Sequence, residues 1–353
     1  MSEDDILFER RGRLAVVTLN RPEALNALTL EMARRMSAVL IEAAGDTAID
    51  AVLIKGAGDK AFCAGGDIRR MYETGPAGGR YPYDFFRDEY TMNARVFHFP
   101  KPYIALMDGI VMGGGVGLSV HGSHRVVSER LMLAMPETGI GLFPDVGGSY
   151  FLPRLPGRIG MFMALTGARL RAADALYAGI GDAYVPSDGL PALEAALAAA
   201  DLGGGDGAVS RVVAEYSGEP GAAALAEQRA AIDACFDAGT VEGIVEKLQK
   251  RGDDWSRRQF ASLAGKSPTS LKVTHEQLRR GGALDFDACM MMEYRIANGF
   301  VRGHDFYEGI RAVVVDKDQR PAWRPERLED VGADQVRRYF EDEPFEGDLT
   351  LAA

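Results

Sequence analysis

Glu137 and Asp145 stand eight residues apart in M-P-E-T-G-I-G-L-F-P-D-V-G-G, and they are the residues best suited to do chemistry. The prolines and glycines around them interrupt any continuous helix, so the segment can fold back and turn two acids toward one pocket. Upstream, Ala64-Gly65-Gly66 and Gly113-Gly114-Gly115 offer backbone N–H groups with no side chain in the way. Acids together with converging amides could polarise an acyl carbonyl and move a proton or a water beside it. Each feature alone has a plainer use. Carboxylates beside glycine turns often satisfy loop amides, and glycine clusters serve strand-to-helix turns that need positive φ. The second cluster lacks both a P-loop ending and G-x-G-x-x-G spacing, which favours a carbonyl oxygen over a phosphate. Glu89, in F-R-D-E-Y, could belong to a solvated helix face, and Cys63 reads as a small packing residue.

The elements that must hold these groups come in two styles. Short Val/Ile/Leu-rich runs at 14–19, 51–54, 103–107, 125–127 and 131–134 read as strands. Thr29 is positioned to cap a helix that buries Met32, Met36, Val39 and Leu40, and Asp67 to cap the helix after the first glycine cluster. A helical segment at 116–122 follows the second. Beyond about residue 158 strand signals fade, and helices are expected at 171–177, 190–200, 222–236, 241–250, 255–263, 271–279, 285–300 and 305–315. The glycine-rich stretch 203–207 reads as a flexible link or surface loop, and residues 320–325 as a proline-containing loop. The expectation is an α/β core over residues 1–200, carrying the site, followed by a helical C-terminal region over 201–353.

Bulk properties narrow the partners. A chain of 353 residues, 47% apolar and 26% charged, can bury a sizeable core. The net charge of -11 argues against nucleic acid, and no apolar run approaches the ~20 residues needed to cross a bilayer. Three dispersed cysteines suit a reducing compartment, and the five histidines form no ligand set, so no metal is expected. The acidic start Met1-Ser2-Glu3-Asp4-Asp5 has neither a secretory hydrophobic run nor an Arg-rich transit pattern. These features together lead to the expectation of a soluble cytoplasmic protein.

With N-R-P-E-A-L-N-A-L at 20–28, the segment 62–67, Gly109 to Gly117, Pro136-Glu137 and Thr166-Gly167, the chain resembles the crotonase (enoyl-CoA hydratase/isomerase) superfamily. That resemblance implies a spiral of ββα units and an acyl-coenzyme A thioester as substrate, with no cofactor beyond it. It assigns the thioester oxygen to the N–H groups of Gly66 and Gly114, and places coenzyme A near Arg21, Ala24, Asn26 and Ala64. Hydratases of the family carry a catalytic Glu where this chain has Gly117, and a glycine where it has Asp145. The rearranged acids, together with S-P-T-S-L-K at 267–272, M-E-Y-R at 292–295 and D-F-Y-E-G-I-R-A at 305–312, resemble the 3-hydroxyisobutyryl-CoA hydrolase subfamily over almost the whole chain. It implies hydrolysis of a short β-hydroxyacyl-CoA thioester in valine breakdown. Glu137 would be water-activating base or direct nucleophile, Asp145 would orient the 3-hydroxyl or the water, and Glu89 would line the acyl pocket. An enoyl-CoA hydratase or isomerase, or a non-catalytic binding protein on the same fold, is the alternative. Relatives of the family form trimers or hexamers, and the longer helical tail could cover that interface, so a homo-oligomer stays open.

Overall fold

In the computed structural model, which describes residues 5–76 and 78–351, runs buried on both faces become parallel strands. The strands are β1 (Ile6–Arg11), β2 (Leu14–Leu19), β3 (Ala51–Gly56), β4 (Ala61–Cys63), β5 (Tyr103–Met107), β6 (Ile110–Met112), β7 (His124–Val127), β8 (Met132–Ala134) and β9 (Ala183–Tyr184). They form a six-stranded sheet ordered β1-β2-β3-β5-β7-β9 and a three-stranded sheet ordered β4-β6-β8. All pairs are parallel except β1 with β2. From β3 to β8 each strand of the large sheet is followed by one of the small sheet and then by helix or helical turn, and β9 leads straight into a helix. This alternation is the ββα spiral, and the chain is α/β as expected. The edge strand β1 went unforeseen because only Ile6 is buried among its apolar residues, and its second half is charged.

Local signals set the helix ends. Thr29 caps the helix Leu30–Gly45, its side chain accepting from the Met32 N–H at 3.1 Å. Asp67 holds the N-cap position of the helix Ile68–Thr74, but its side chain makes no cap hydrogen bond. The helix expected at 271–279 runs Pro268–Gly281, because Ser267 caps it and Pro268 occupies its first turn. The stretch 203–207 is a turn rather than a long link. A helix, Asp206–Tyr216, starts inside it, with its apolar Ala208, Val209 and Val213 buried.

Compactness divides the chain into two units whose segments interleave. One comprises the described residues of Met1–Gly66, Thr91–Ala134 and Arg169–Ala226; the other comprises those of Asp67–Tyr90, Met135–Ala168 and Glu227–Ala353. The first holds both sheets, with a core in which Val16, Leu53 and Ile104 meet Leu193, Leu197 and Val209 from two helices. Helices near residue 200 therefore belong with the sheets. Segments 67–90 and 135–168, which lie before the cut drawn at residue 200, group with the tail helices. Among the described residues no helix is long and apolar enough to cross a membrane.

Candidate active site

The two glycine motifs lie against each other in the sheet-bearing unit. Gly65 sits at φ +112°, and a Cβ there would meet the Met112 carbonyl oxygen at 3.4 Å and the Gly113 Cα at 3.9 Å. Leu28 N–H donates to the Gly65 carbonyl at 2.8 Å, in a parallel bridge centred on Leu28 and Gly66. Such a bridge bonds through the residues flanking Gly66 and leaves the Gly66 amide outside the pairing. Gly113, at φ +46°, turns the chain into the helix Gly114–Ser119, so Gly114 contributes a first-turn N–H that has no intrahelical acceptor. Gly115 lets this helix press on β4: a Cβ would stand 2.2 Å from the Cys63 carbonyl oxygen. The glycine-rich sequence is thus what brings the Gly66 and Gly114 regions into one neighbourhood.

Four carboxyls gather in the other unit. Glu137 opens a short helical turn, Glu137–Ile140, closed by Gly141 in the left-handed region; it is buried, and its Oε2 has no hydrogen-bond partner. Asp145 is buried too, and its Oδ2 accepts from the Tyr90 hydroxyl at 2.8 Å. Glu89 is 2% exposed on the helix Tyr81–Phe97, which rules out the solvated-face reading, and its Oε1 is also unpartnered. Glu293, fully buried on the helix Phe286–Val301, accepts from the amides of Gly147 and Ser149, both at 2.8 Å.

Burial raises the pKa of each of these acids, and repulsion from neighbouring acids adds to it for Glu89, Glu137 and Glu293. Burial, then the charges of Asp145, Glu137 and Glu293, push Glu89 well above the ordinary carboxylate range. Glu137 is raised by burial and by Asp145, with Lys266 drawing it partly back. Burial lifts Asp145 to about 7, against the stabilising Tyr90 hydrogen bond. It lifts Glu293 to about 8, against the two amides it accepts. The cluster can therefore exchange protons near neutral pH, as general acid–base chemistry requires. Among the described residues no group of three His, Cys, Asp or Glu is arranged to hold a metal ion.

Of the positions linked to coenzyme A, Asn26 has a different local role. Its side chain accepts from the Arg21 N–H at 2.9 Å and donates to the carbonyls of Ala57 and Ala61 at 3.0 and 2.8 Å. With Asn26 fully buried, its amide braces the loop and has no donor left for a ligand. Arg21 bonds the Ala27 carbonyl at 2.6 Å, and Ala24 and Ala64 are partly exposed on the same loops. Sequence reasoning gave no role to Tyr90 or Glu293. A signal existed for Glu293: Cys289, Met290, Ile296, Ala297 and Phe300 form an apolar stripe at helical spacing, and Glu293 falls within it.

A family model described as enoyl-CoA hydratase/isomerase matches residues 14–340. The chain belongs to this family. Among its relatives, the 3-hydroxyisobutyryl-CoA hydrolase, mitochondrial, of Danio rerio is 48% identical over 342 residues, covering 95% of this chain and 89% of that one. The protein of the same name from Homo sapiens is 46% identical, covering 96% and 88%. Among solved structures, a carnitinyl-CoA dehydratase from Mycobacterium thermoresistibile superposes with a TM-score of 0.93 at 40% identity, covering 99% of this chain and 100% of that one. An enoyl-CoA hydratase from Rhodobacter sphaeroides gives 0.90 at 38%, covering 98% and 100%.

Within the enoyl-CoA hydratase/isomerase family, Gly117 takes on weight. It lies buried in the helix Gly114–Ser119, where the resemblance puts the hydratase glutamate. The names of the hydrolase relatives also overturn the cytoplasmic expectation, since those proteins are mitochondrial. The features behind that expectation do not discriminate: three buried free thiols suit any reducing compartment.

Proposed function

We propose that this chain hydrolyses a short β-hydroxyacyl-CoA thioester, 3-hydroxyisobutyryl-CoA first among them, to the free acid and coenzyme A. The observation that carries this reading is the buried, electrostatically interacting pair Glu137 and Asp145, with Gly117 in place of the hydratase acid. The amides of Gly66 and Gly114 hold the thioester oxygen as negative charge develops there. An oxyanion donor of this kind is typically worth about 2.7–4 kcal/mol of transition-state stabilisation. Glu137 supplies the attack on the carbonyl carbon, as base to a water or as the nucleophile of a mixed anhydride. Either route needs a carboxylate oxygen unclaimed by the protein, and Glu137 Oε2 is one. The coenzyme A thiolate then leaves and takes up a proton; on the anhydride route a water next hydrolyses the acyl–Glu137 bond, which releases the free acid and restores the carboxylate. Asp145 orients the 3-hydroxyl of the acyl group, and Glu89 lines the acyl pocket. Arg21, Ala24 and Ala64 flank the coenzyme A, and Asn26 shapes their loop. The reaction needs no cofactor beyond the coenzyme A that the substrate carries. The relatives' names support the acyl group, and the subfamily resemblance adds a place in valine breakdown.

Free-thiol release from 3-hydroxyisobutyryl-CoA, with crotonyl-CoA hydration followed in parallel, tests the reading. Thiol release without hydration, abolished in Glu137→Ala while coenzyme A still binds, is the expected result. Hydration without thiol release would replace the hydrolase by a hydratase in which Asp145 supports water addition.

A further inference from the structure

The segment carrying Asp145 is held in a conformation that its own sequence disfavours. Val146 sits at φ +51°, the left-handed region that β-branched residues avoid, and Gly147 follows at φ +88°. Two tail helices grip this turn from separate directions. From the helix Phe286–Val301, Glu293 takes the Gly147 N–H on one oxygen and the Ser149 N–H on the other. From the helix Pro268–Gly281, the Gln277 side-chain amide donates to the Pro144 carbonyl at 2.6 Å and to the Ser149 hydroxyl at 2.9 Å. Glu293 and Gln277 are both fully buried, so no solvent competes for these bonds. Glu293 accepts two amides that a strained turn would otherwise leave unmatched, one on each carboxyl oxygen, whereas a side-chain amide in its place has a single acceptor oxygen.

We propose that Glu293, seconded by Gln277, is the positioning residue that fixes Asp145 against the substrate's 3-hydroxyl, so that the helical tail sets the enzyme's preference for hydroxylated acyl groups. This rests on the thioester-hydrolase reading and on Asp145 meeting the 3-hydroxyl. Glu293 touches no substrate in this account. It acts by holding the turn, and displacing a catalytic group by an ångström typically costs about 100-fold in rate. A site that bonds a hydroxyl also discriminates strongly against the analogue lacking it. Loss of the grip should therefore hurt the hydroxylated substrate more than its deoxy counterpart. General damage to the fold would slow both alike.

The experiment measures kcat/KM for 3-hydroxyisobutyryl-CoA and for isobutyryl-CoA in the wild type, Asp145→Asn, Glu293→Gln and Gln277→Met. Glu293→Gln keeps size but sets an NH2 against one of the two amides. We expect it to lower kcat for the hydroxylated substrate about 10- to 100-fold with KM little changed, and to shrink the ratio between substrates toward that of Asp145→Asn. Gln277→Met should shrink the ratio less, and it reads the second anchor if Glu293→Gln does not accumulate as folded protein. Equal losses on both substrates in a folded Glu293→Gln, or in Gln277→Met standing in for it, would overturn the positioning role. An unchanged ratio in Asp145→Asn would instead overturn the role given to Asp145. Absence of thiol release in the wild type would overturn the hydrolase reading itself.

Discussion

Asp145 is the second-largest cause of the raised pKa of Glu137, after burial, and this makes their coupling measurable. The attack requires ionised Glu137, so the rate falls on the acid side as that group takes up its proton. Asp145, lifted by burial to about 7, is the neighbour whose charge raises Glu137. Asp145→Asn removes the charge and still offers Tyr90 an acceptor oxygen. The acid limb of the kcat–pH profile should then move to lower pH even as the maximum falls; a limb that stays in place would deny the coupling. At this scale the sequence was half legible. Glu137 and Asp145 stand out because their glycine- and proline-rich surroundings exclude a helix. Tyr90 does not, because its bond to Asp145 spans 55 positions and nothing local announces it.

The glycine helix carries its own test. Gly115 has no room for a methyl group, since a Cβ would fall 2.2 Å from the backbone oxygen of Cys63. Gly115→Ala must push the helix Gly114–Ser119 off β4, and the Gly114 amide moves with it. We expect a lower melting temperature and a kcat reduced about 100- to 1,000-fold, as for loss of an oxyanion donor. Thermal melts and steady-state kinetics on the same preparation check both, and wild-type kcat in this variant would remove Gly114 from the site. Strands β2 and β5 were read end to end, because a sheet buried on both faces demands unbroken apolar runs, while the short β4, β6 and β9 went unread. The helix Tyr81–Phe97 was missed. It buries Phe85, Phe86, Glu89, Tyr90 and Asn93 on its inner face, so charge and amide are mixed into what would otherwise be a clean apolar stripe.

Over the whole molecule, buried acids make stability depend on pH in a definite direction. Asp145 rises from 3.8 to about 7 and Glu293 from 4.5 to about 8 on folding. Between about pH 4 and pH 8 the folded chain thus binds more protons than the unfolded one at these groups, so stability declines as pH rises through that window and levels off above it. The melting temperature should be higher at pH 5.5 than at pH 8.5. Glu89→Gln, which removes a buried charge with an unpartnered oxygen, should raise the melting temperature at pH 8.5 while lowering activity. Scanning calorimetry at the two values decides it, and a destabilised Glu89→Gln at pH 8.5 would contradict the sign. The expected α/β core and helical tail are both present, but their interleaving was not legible, because which segment packs with which is decided by contacts far apart in sequence.

That interleaving bears on how the protein comes into being. Synthesis proceeds from the N-terminus at about 5–20 residues per second, and Glu89, Glu137 and Asp145 all emerge long before Glu293 and Gln277. The unit that holds the acids draws on Glu227–Ala353, so a nascent chain has no means of assembling it until most of the tail has left the ribosome. The sheet-bearing unit closes with Ala226 and is free to fold first. Birth order thus lets the half that bears the glycine amides take shape before the chain of the half that bears the acids is complete.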